Sequence, residues 1–144
     1  MGYEADLGKV WIFSELEKND LERMAKVVVP RRYKKGETIV KEGEQAVAFY
    51  VIVKGRVEVK KGDVSLTTFG PGDCFGEMAL LDGYPRATNC VAAEDTECLV
   101  MTRWDFTAEI RTNPSIALFM LPILSKRIRE LEEKNEALEE RVRS

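Results

Sequence analysis

The chain has 144 residues, a net charge of −3 and a hydrophobic content of 44%, which fits a single folded domain with a sizeable core. It contains no histidine; because histidine is the commonest metal ligand and general base, we expect no metal site and no enzymatic activity. The slightly acidic balance argues against general nucleic-acid binding.

Residues 1–30 are predicted to be helical. Ser14 and Glu17 have the spacing of a capping box, and an irregular apolar face follows them until Pro30 closes the segment. The first residues lack the apolar run of a secretory signal. The sixth residue is Asp6, where a myristoylation motif needs Ser or Thr. We therefore expect neither a secretory signal nor a lipid anchor here.

Residues 31–101 show the pattern of short antiparallel strands. Short β-branched runs alternate with glycine-bearing turns, and this is typical of an all-β sandwich or barrel. The run from Val47 to Val53 is apolar on both faces, so we expect it to be covered on both sides. Residues 56–60 alternate between apolar and polar, as a half-exposed strand does.

Residues 102–144 return to a helical pattern. Thr102 and Asp105 form a second possible capping box, and Asn113 precedes a proline that suits the first position of a helix. A long helix is expected to follow. Pro122 lies within it and should kink or break it, because proline removes a backbone hydrogen bond.

The segment 121–142 has the 3,4 spacing of a coiled coil. Its a and d positions are Leu121, Leu124, Ile128, Leu131, Asn135, Leu138 and Val142. An Asn at an a position specifies two strands, and Arg127 and Lys134 at g are complementary to Glu132 and Glu139 at e between parallel helices. We hypothesise a parallel homodimer with Leu124, Ile128, Leu131, Asn135, Leu138 and Val142 in its interface. Alternatively, Ile128 and Leu131 pack on the β-domain and the remainder is a solvated charged helix.

The stretch "GDCFGEMALLDGYPRATN", residues 72–89, combines groups that suit one small anion. Gly76 allows the backbone to approach a ligand closely, and residues 77–81 are long enough for one helical turn whose first N–H groups point towards it. Arg86, presented after Pro85, has a planar guanidinium that binds phosphate in a forked geometry. Glu77 would accept a hydrogen bond from a ligand hydroxyl. These groups together suit a ligand with one phosphate and a neighbouring sugar hydroxyl.

The string Phe75 to Leu81, followed by Pro85-Arg86-Ala87-Thr88, resembles the phosphate-binding cassette of cyclic nucleotide-binding domains. This is the domain of the catabolite activator protein and of the regulatory subunits of cyclic-AMP-dependent protein kinase. The strings "KKGETIVKEGE", "FYVIVKGRVEV" and "FGPGDCFGE" are also similar to that family, so the resemblance covers about residues 14–140. It implies a mainly β fold, an antiparallel β-roll resembling a jelly-roll barrel. N-terminal helices and a long C-terminal helix flank the roll, and the cassette spans residues 74–89.

The resemblance also implies roles for particular residues. Glu77 would accept from the ribose 2′-hydroxyl, Arg86 would bind the cyclic phosphate, and Gly76 would give room for the ribose. The amides near Met78 and Ala79 would complete the anion cradle. The implied ligand-binding residues are Phe75, Gly76, Glu77, Met78, Ala79, Arg86, Ala87 and Thr88.

Base preference is carried by the residue after the arginine. Members selective for cyclic GMP usually have Thr or Ser there, so Ala87 favours cyclic AMP over cyclic GMP. The sequence departs from the family pattern at two places. Thr88 and Asn89 stand where the common pattern runs Ala-Thr or Ala-Ser. The string "EQAVAFY" lacks the acidic residue often found before the Phe-Tyr pair.

We therefore predict a regulatory sensor that binds a cyclic nucleotide and signals through its C-terminal helix. The alternative is a degenerate β-roll that serves as a dimerisation or interaction module without ligand, in which Glu77 and Arg86 form only a salt bridge. No helix-turn-helix follows within the sequence, so no direct DNA binding by this chain is expected. A haem or redox sensor is disfavoured by the absence of histidine.

The three cysteines, Cys74, Cys90 and Cys98, lie in apolar surroundings and are expected to be reduced buried thiols. No apolar run approaches the ~20 residues of a membrane helix. We therefore expect a cytoplasmic protein without a membrane span.

Overall fold

The computed structural model describes residues 2–83 and 86–143, which form eight strands between two groups of helices. The helices are α1 (Tyr3–Gly8), a 3₁₀ helix (Trp11–Phe13), α2 (Lys18–Ala25), α3 (Met78–Leu81), α4 (Arg103–Thr112) and α5 (Ser115–Arg143). The strands are β1 (Val29–Tyr33), β2 (Thr38–Val40), β3 (Ala48–Lys54), β4 (Val57–Lys61), β5 (Val64–Phe69), β6 (Cys74–Phe75), β7 (Asn89–Ala92) and β8 (Thr96–Thr102).

The strands form two open four-stranded sheets. Their strand orders are β1-β8-β3-β6 and β2-β7-β4-β5, and the pairings within each sheet are antiparallel. The antiparallel roll with flanking helices is confirmed. Two features of the prediction need correction, because the sheets do not close into a barrel and the helices contain more residues than the strands. "Mainly β" therefore understates the helical part.

Strand β3 lies at the centre of the molecule and is covered on both faces, as its apolar run predicts. Phe49 and Val51 belong to a core cluster shared with the helices. Ile52, with the partly buried Tyr50, belongs to a second cluster between the two sheets. Because successive side chains of a strand point to opposite faces, one strand serves both cores. The first sheet is thus a middle layer between the helices and the second sheet.

The helices from both ends of the chain pack on the same face of that middle layer. The Phe13 ring contacts Phe49 of β3 edge-on at 5.5 Å between centroids and lies 6.3 Å from Phe106 of α4. All three rings are buried, and burying a Phe side chain contributes about 1.5–3 kcal/mol. Ile116 of α5 joins the same cluster, so the start of α5 is fixed by the core.

Two predicted helix starts have different outcomes. Thr102 caps α4 as predicted, since its hydroxyl oxygen accepts a hydrogen bond from the Asp105 backbone N–H at 3.1 Å. Ser14 caps no helix, because its hydroxyl donates to the Trp11 carbonyl oxygen at 2.8 Å and α2 begins only after Glu17. The turn of 3₁₀ helix before Ser14 uses the hydroxyl that the capping box would have needed.

Pro30 does not close a helix but lies inside β1. β1 is an edge strand of its sheet and pairs only with β8 among the described residues. An edge position tolerates proline, because one side of the strand needs no donor. The strand region therefore begins at Val29, before the predicted boundary at residue 31.

Helix α5 is continuous from Ser115 to Arg143, so Pro122 does not break it, and the predicted kink stays a prediction. Met120 on one side of Pro122 is buried, and Leu124 on the other packs against the core. These contacts hold both flanking turns on the same surface. No helix in the described ranges is long and apolar enough to cross a membrane.

A partly buried chain of hydrogen bonds joins the junction of α4 and α5 to α2. The Asn113 side-chain amide donates to Asp20 Oδ1 at 2.6 Å, and the Ser115 hydroxyl donates to Asn113 Oδ1, also at 2.6 Å. Asp20 is buried. Asn113 thus connects the N-terminal helices to the start of α5.

Candidate functional site

A cavity of about 460 Å³ lies between the end of β6, α3 and the inner face of the second sheet. All eight residues predicted to bind ligand line it. They are Phe75, Gly76, Glu77, Met78, Ala79, Arg86, Ala87 and Thr88. The structure therefore brings the two halves of the predicted cassette together around one space.

Phe75 and Gly76 form one end of the cavity. Phe75 closes β6 and pairs with Tyr50 of β3, and their rings stack at 4.8 Å between centroids and 5° between planes. Gly76 has a φ of +77°, which favours glycine. A Cβ at Gly76 would collide with the Arg86 guanidinium and lie 2.9 Å from the Ala48 carbonyl oxygen. The space that glycine provides, predicted for a ribose, is occupied at least in part by Arg86.

Arg86 is held at its backbone and at its guanidinium. Its N–H donates to the Glu44 carbonyl oxygen at 2.8 Å, and its own carbonyl oxygen accepts from the Gly43 N–H at 2.9 Å. The guanidinium donates to the Ala48 carbonyl oxygen at 2.6 Å and lies 5.9 Å from the centroid of the Tyr50 ring. The predicted contribution of Pro85 to this placement lies outside the described residues.

The charge of Arg86 is partly desolvated. Burial lowers the pKa of Arg86, and the nearby Tyr50, Cys90 and Glu77 oppose that shift. A guanidinium remains protonated at neutral pH even after such a shift. A partly buried cation of this kind attracts an anion more strongly than one in bulk water, because the local dielectric constant is lower.

Glu77 lies at the N-terminal end of α3, and its side chain makes no capping hydrogen bond there. The ion pairs among residues 2–83 and 86–143 do not include Glu77 with Arg86. The salt bridge on which the degenerate alternative rests is therefore not formed. Both charged side chains line the same cavity, which leaves each able to meet a ligand.

The helical turn after Glu77 offers less to an anion than the sequence suggests. The Ala79 N–H donates to the Gly76 carbonyl oxygen at 2.9 Å, and the Leu80 N–H donates to that of Glu77 at 3.1 Å. The Ala79 amide, predicted as part of the cradle, is thus engaged within the turn. α3 has only four residues, so its macrodipole is small. The guanidinium of Arg86 is therefore the strongest candidate for an anion-binding group in this cavity.

Of the three residues after Arg86, Ala87 and Thr88 line the cavity and Asn89 holds a neighbouring loop. Ala87 is exposed at the rim, and Thr88 also lines the cavity. Burial raises the pKa of the Cys90 thiol to about 11, and a hydrogen bond with the Thr88 side chain opposes this shift. Asn89 Oδ1 accepts from the Glu42 N–H at 2.7 Å, so Asn89 supports the neighbouring loop.

Sequence reasoning missed much of the cavity wall. The additional lining residues are Val40, Ala46, Val59, Phe69, Cys74, Asp82 and Cys90. A signal existed for Val59, because the alternation of residues 56–60 places it on the inner face with Val57. Ala46 and Asp82 lie in irregular segments, where no periodicity indicates which way a side chain points.

The residues predicted for a dimer interface lie on α5 from Leu124 onward, and Leu124 itself has an intrachain role. Leu124 packs against the core. Ile128, Leu131, Leu138 and Val142 are 56%, 54%, 56% and 87% exposed, so the alternative in which Ile128 and Leu131 pack on the β-domain is not found. The Asn135 amide donates to Glu139 Oε1 at 3.2 Å within the helix. Arg127, predicted at a g position, lies with Cζ 4.9 Å from the centroid of the Trp11 ring.

Comparison with known proteins identifies related chains. The family model described as cyclic nucleotide-binding domain matches residues 30–113. The cyclic AMP receptor protein of Thermus thermophilus is 37% identical over 105 residues, covering 69% of this chain and 49% of that protein. A cAMP-dependent protein kinase regulatory subunit of Eremothecium gossypii is 33% identical over 105 residues, covering 73% of this chain and 23% of that protein. The chain thus spans less than half the length of either relative.

Solved structures have the same fold. The catabolite activator protein of Thermus thermophilus has a TM-score of 0.74 at 31% identity, covering 90% of this chain and 63% of that one. A structure described as cAMP-bound PfPKA-R (141-441) has a TM-score of 0.72 at 28% identity, covering 96% of this chain and 45% of that one.

Proposed function

This chain belongs to the cyclic nucleotide-binding domain family, and from that premise we propose that it is a regulatory sensor that binds cyclic AMP in preference to cyclic GMP. One observation carries the proposal: Glu77 and Arg86 line a single cavity of about 460 Å³ and form no ion pair with each other. A cation and a hydroxyl acceptor on one wall suit a ligand that carries both a phosphate and a sugar hydroxyl.

The phosphate is assigned to Arg86. Its guanidinium already donates to the Ala48 carbonyl oxygen with one Nη, and a guanidinium has five N–H donors in all. Donors therefore remain for a phosphate oxygen without loss of that anchor. Glu77, which is only partly buried, accepts from the ribose 2′-hydroxyl.

The base is assigned to the apolar part of the cavity. Val40, Val59 and Phe69 line that part, and flat aromatic ligands gain most from such surfaces. Ala87 offers no hydroxyl for a guanine, and the Thr88 side chain is engaged with Cys90. Both facts support cyclic AMP over cyclic GMP.

Signalling is assigned to α5. A smaller cavity is lined by Trp11, by Arg127 of α5 and by Glu77, which also lines the larger cavity. Helix α5 therefore lies one side chain away from the proposed ligand site. A ligand shifts α5 only if it binds two arrangements of that helix with different affinities. The contact of Arg127 with Trp11 supports α5 as the element that differs between them.

Dimerisation is assigned to the exposed stripe of α5. Ile128, Leu131 and Leu138 recur at the a and d spacing, and each is more than half exposed. Isolated apolar residues on a surface are ordinary, but a stripe with heptad spacing is typical of a coiled-coil seam. Lys134 and Glu139, at g and e, would pair across a parallel homodimer.

The proposed role is binding without turnover. Glu77 and Arg86 recognise a phosphodiester, and the chain has no histidine to act as a general base. The net charge of −3 supports the proposal that this chain does not contact DNA directly. The free cysteines Cys74, Cys90 and Cys98 support a reducing, cytoplasmic setting.

Calorimetric titration with cyclic AMP, cyclic GMP and linear 5′-AMP tests the proposal. We expect saturable heat with both cyclic nucleotides, tighter binding of cyclic AMP, and little heat with the linear control. Binding of neither cyclic nucleotide at millimolar concentration would overturn the proposal and favour the interaction module. Tighter binding of cyclic GMP would overturn only the base preference.

A further inference from the structure

The loop between α3 and β7 contacts the start of α4 through one arginine. Gly83 is buried and has a φ of +69°. A Cβ at this position would lie 2.6 Å from Arg103 Nη1, 3.0 Å from Cζ and 3.4 Å from Nε. Three atoms of the guanidinium thus occupy the space where any other residue would have its side chain. The glycine is required both by its backbone conformation and by Arg103.

The backbone of Arg103 is itself fixed. Its N–H donates to the Val47 carbonyl oxygen at 2.9 Å, and the Thr102 cap sets the first turn of α4 immediately before it. Among the ion pairs of the described residues, none involves Arg103. The start of α4 therefore fixes the position from which the Arg103 side chain extends towards Gly83.

The two arginines bind consecutive carbonyl groups where β3 begins. The Val47 carbonyl oxygen accepts from the Arg103 backbone, and the next carbonyl oxygen, that of Ala48, accepts from the Arg86 guanidinium. Arg86 also follows Gly83 by only three residues. Arg103 is thus linked to Arg86 in two ways: its side chain lies against Gly83, three positions before Arg86, and its backbone binds the carbonyl next to the one that anchors the Arg86 guanidinium.

We propose that Arg103 is a positioning residue for Arg86, which holds the loop at Gly83 so that the Arg86 guanidinium meets the cyclic phosphate in a fixed orientation. This inference rests on the proposed function and deepens it. A planar guanidinium packs on a glycine backbone over a larger area than an ammonium does, so lysine is a poor replacement. The effect is expected on the phosphate contact rather than on the stability of the fold.

Replacing Arg103 by Gln tests the proposal, with Arg111→Gln as the matched control. Arg111 lies in the last turn of the same helix and is exposed. We expect the affinity for cyclic AMP to fall on the order of tenfold in Arg103→Gln and to stay unchanged in the control. Unchanged affinity in both variants, with wild-type protein that binds, would overturn the positioning role.

A second readout separates positioning from general damage. The Sp and Rp diastereomers of adenosine 3′,5′-cyclic monophosphorothioate carry sulfur on alternative exocyclic positions, so their affinity ratio reports the orientation of the phosphate-binding group. Misplaced Arg86 changes this ratio, whereas a merely loosened fold weakens both diastereomers equally. An unchanged ratio in Arg103→Gln would contradict the proposal even if affinity fell.

Gly83→Ala tests the contact between Gly83 and Arg103 from the glycine side. If Arg103 acts through Gly83, the double variant Arg103→Gln/Gly83→Ala loses no more affinity than the more damaged single variant. Additive losses would overturn this route. Should Gly83→Ala fail to fold, Arg103→Lys replaces it and is expected to retain less than half of the wild-type affinity. Wild-type protein that binds neither cyclic nucleotide would instead refute the proposed function itself.

Discussion

The candidate ligand cavity and the part of α5 after Met120 differ in how their apolar side chains are covered. Around the cavity, Val40, Phe75 and Cys90 are buried by partners from the same chain. Along α5, the core accepts Ile116 and Met120, and from Leu121 onward the large apolar side chains that follow the heptad spacing are more than half exposed, with Leu124 excepted. The apolar side chains of the cavity are thus covered within the chain, whereas residues 2–83 and 86–143 leave most of the apolar stripe on α5 uncovered.

This difference indicates what each region needs. Under the proposed function the cavity takes only a small ligand, since the strands in its walls are already paired with each other. In the proposed dimer, the stripe on α5 is covered by a surface of matching spacing from a second copy of the same helix. Substitutions in one region should therefore leave the other intact, and the predictions below test this separation from the largest expected effect to the smallest.

The largest effect is expected from Leu131→Lys combined with Leu138→Lys. Two buried leucines at d positions contribute about 4 kcal/mol or more to a coiled coil, so the dimer should dissociate fully at micromolar concentration. Light scattering measures the mass. The control pair Glu133→Gln and Ala137→Lys changes the net charge equally on the outer face and should stay dimeric. A wild-type chain that is monomeric at high concentration would refute the seam.

Arg86→Leu should come next and should affect only the cavity. Loss of a charge-assisted contact costs about 1.5–3 kcal/mol, so the affinity for cyclic AMP should fall at least about tenfold. The dimer should persist in the same sample. Arg86→Lys keeps the charge but loses the fork, and calorimetry should give it an intermediate affinity. Wild-type affinity in Arg86→Leu would place the phosphate elsewhere.

The smallest effect concerns alkaline stability, and it too belongs to the cavity region. Burial raises the pKa of Cys90 from 9.0 to about 11. Between these values the unfolded chain binds fewer protons than the folded one, so the free energy of unfolding falls as pH rises through the window and is unaffected below it. Each such thiol contributes at most about 1.4 kcal/mol per pH unit.

Urea unfolding at about pH 8 and about pH 10 measures that slope. Cys90→Ala should reduce the loss of stability between the two pH values by about 1 kcal/mol. The remaining slope includes Cys74 and Cys98, whose pKa values burial raises to about 12. An identical pH dependence in wild type and Cys90→Ala would show that Cys90 titrates normally in the folded chain.

The sequence predicted those parts that depend on local pattern. The family is confirmed, and the two-sided burial of β3 and the cap at Thr102 follow from the spacing of nearby residues. The eight cassette residues were named from a contiguous string and do share one cavity. Whether they bind nucleotide stays a prediction.

Contacts between distant residues could not be predicted in this way. Arg86 donates to the carbonyl of Ala48, 38 positions earlier, and no local pattern indicates that Gly76 makes room for this guanidinium. The failed cap at Ser14 and the unbroken helix at Pro122 have the same origin. In each case a neighbouring turn or the core decided the outcome, and propensity is only a weak prior against such packing.

The hydrogen bond from Asn113 to Asp20 joins positions 93 apart in the chain. Breaking it leaves a buried polar group unsatisfied at a cost of about 1–3 kcal/mol. A rotation of α5 about its first turn therefore either carries α2 with it or must overcome that cost. If α5 rotates on ligand binding, we therefore expect the N-terminal helices to move with it relative to the β-roll.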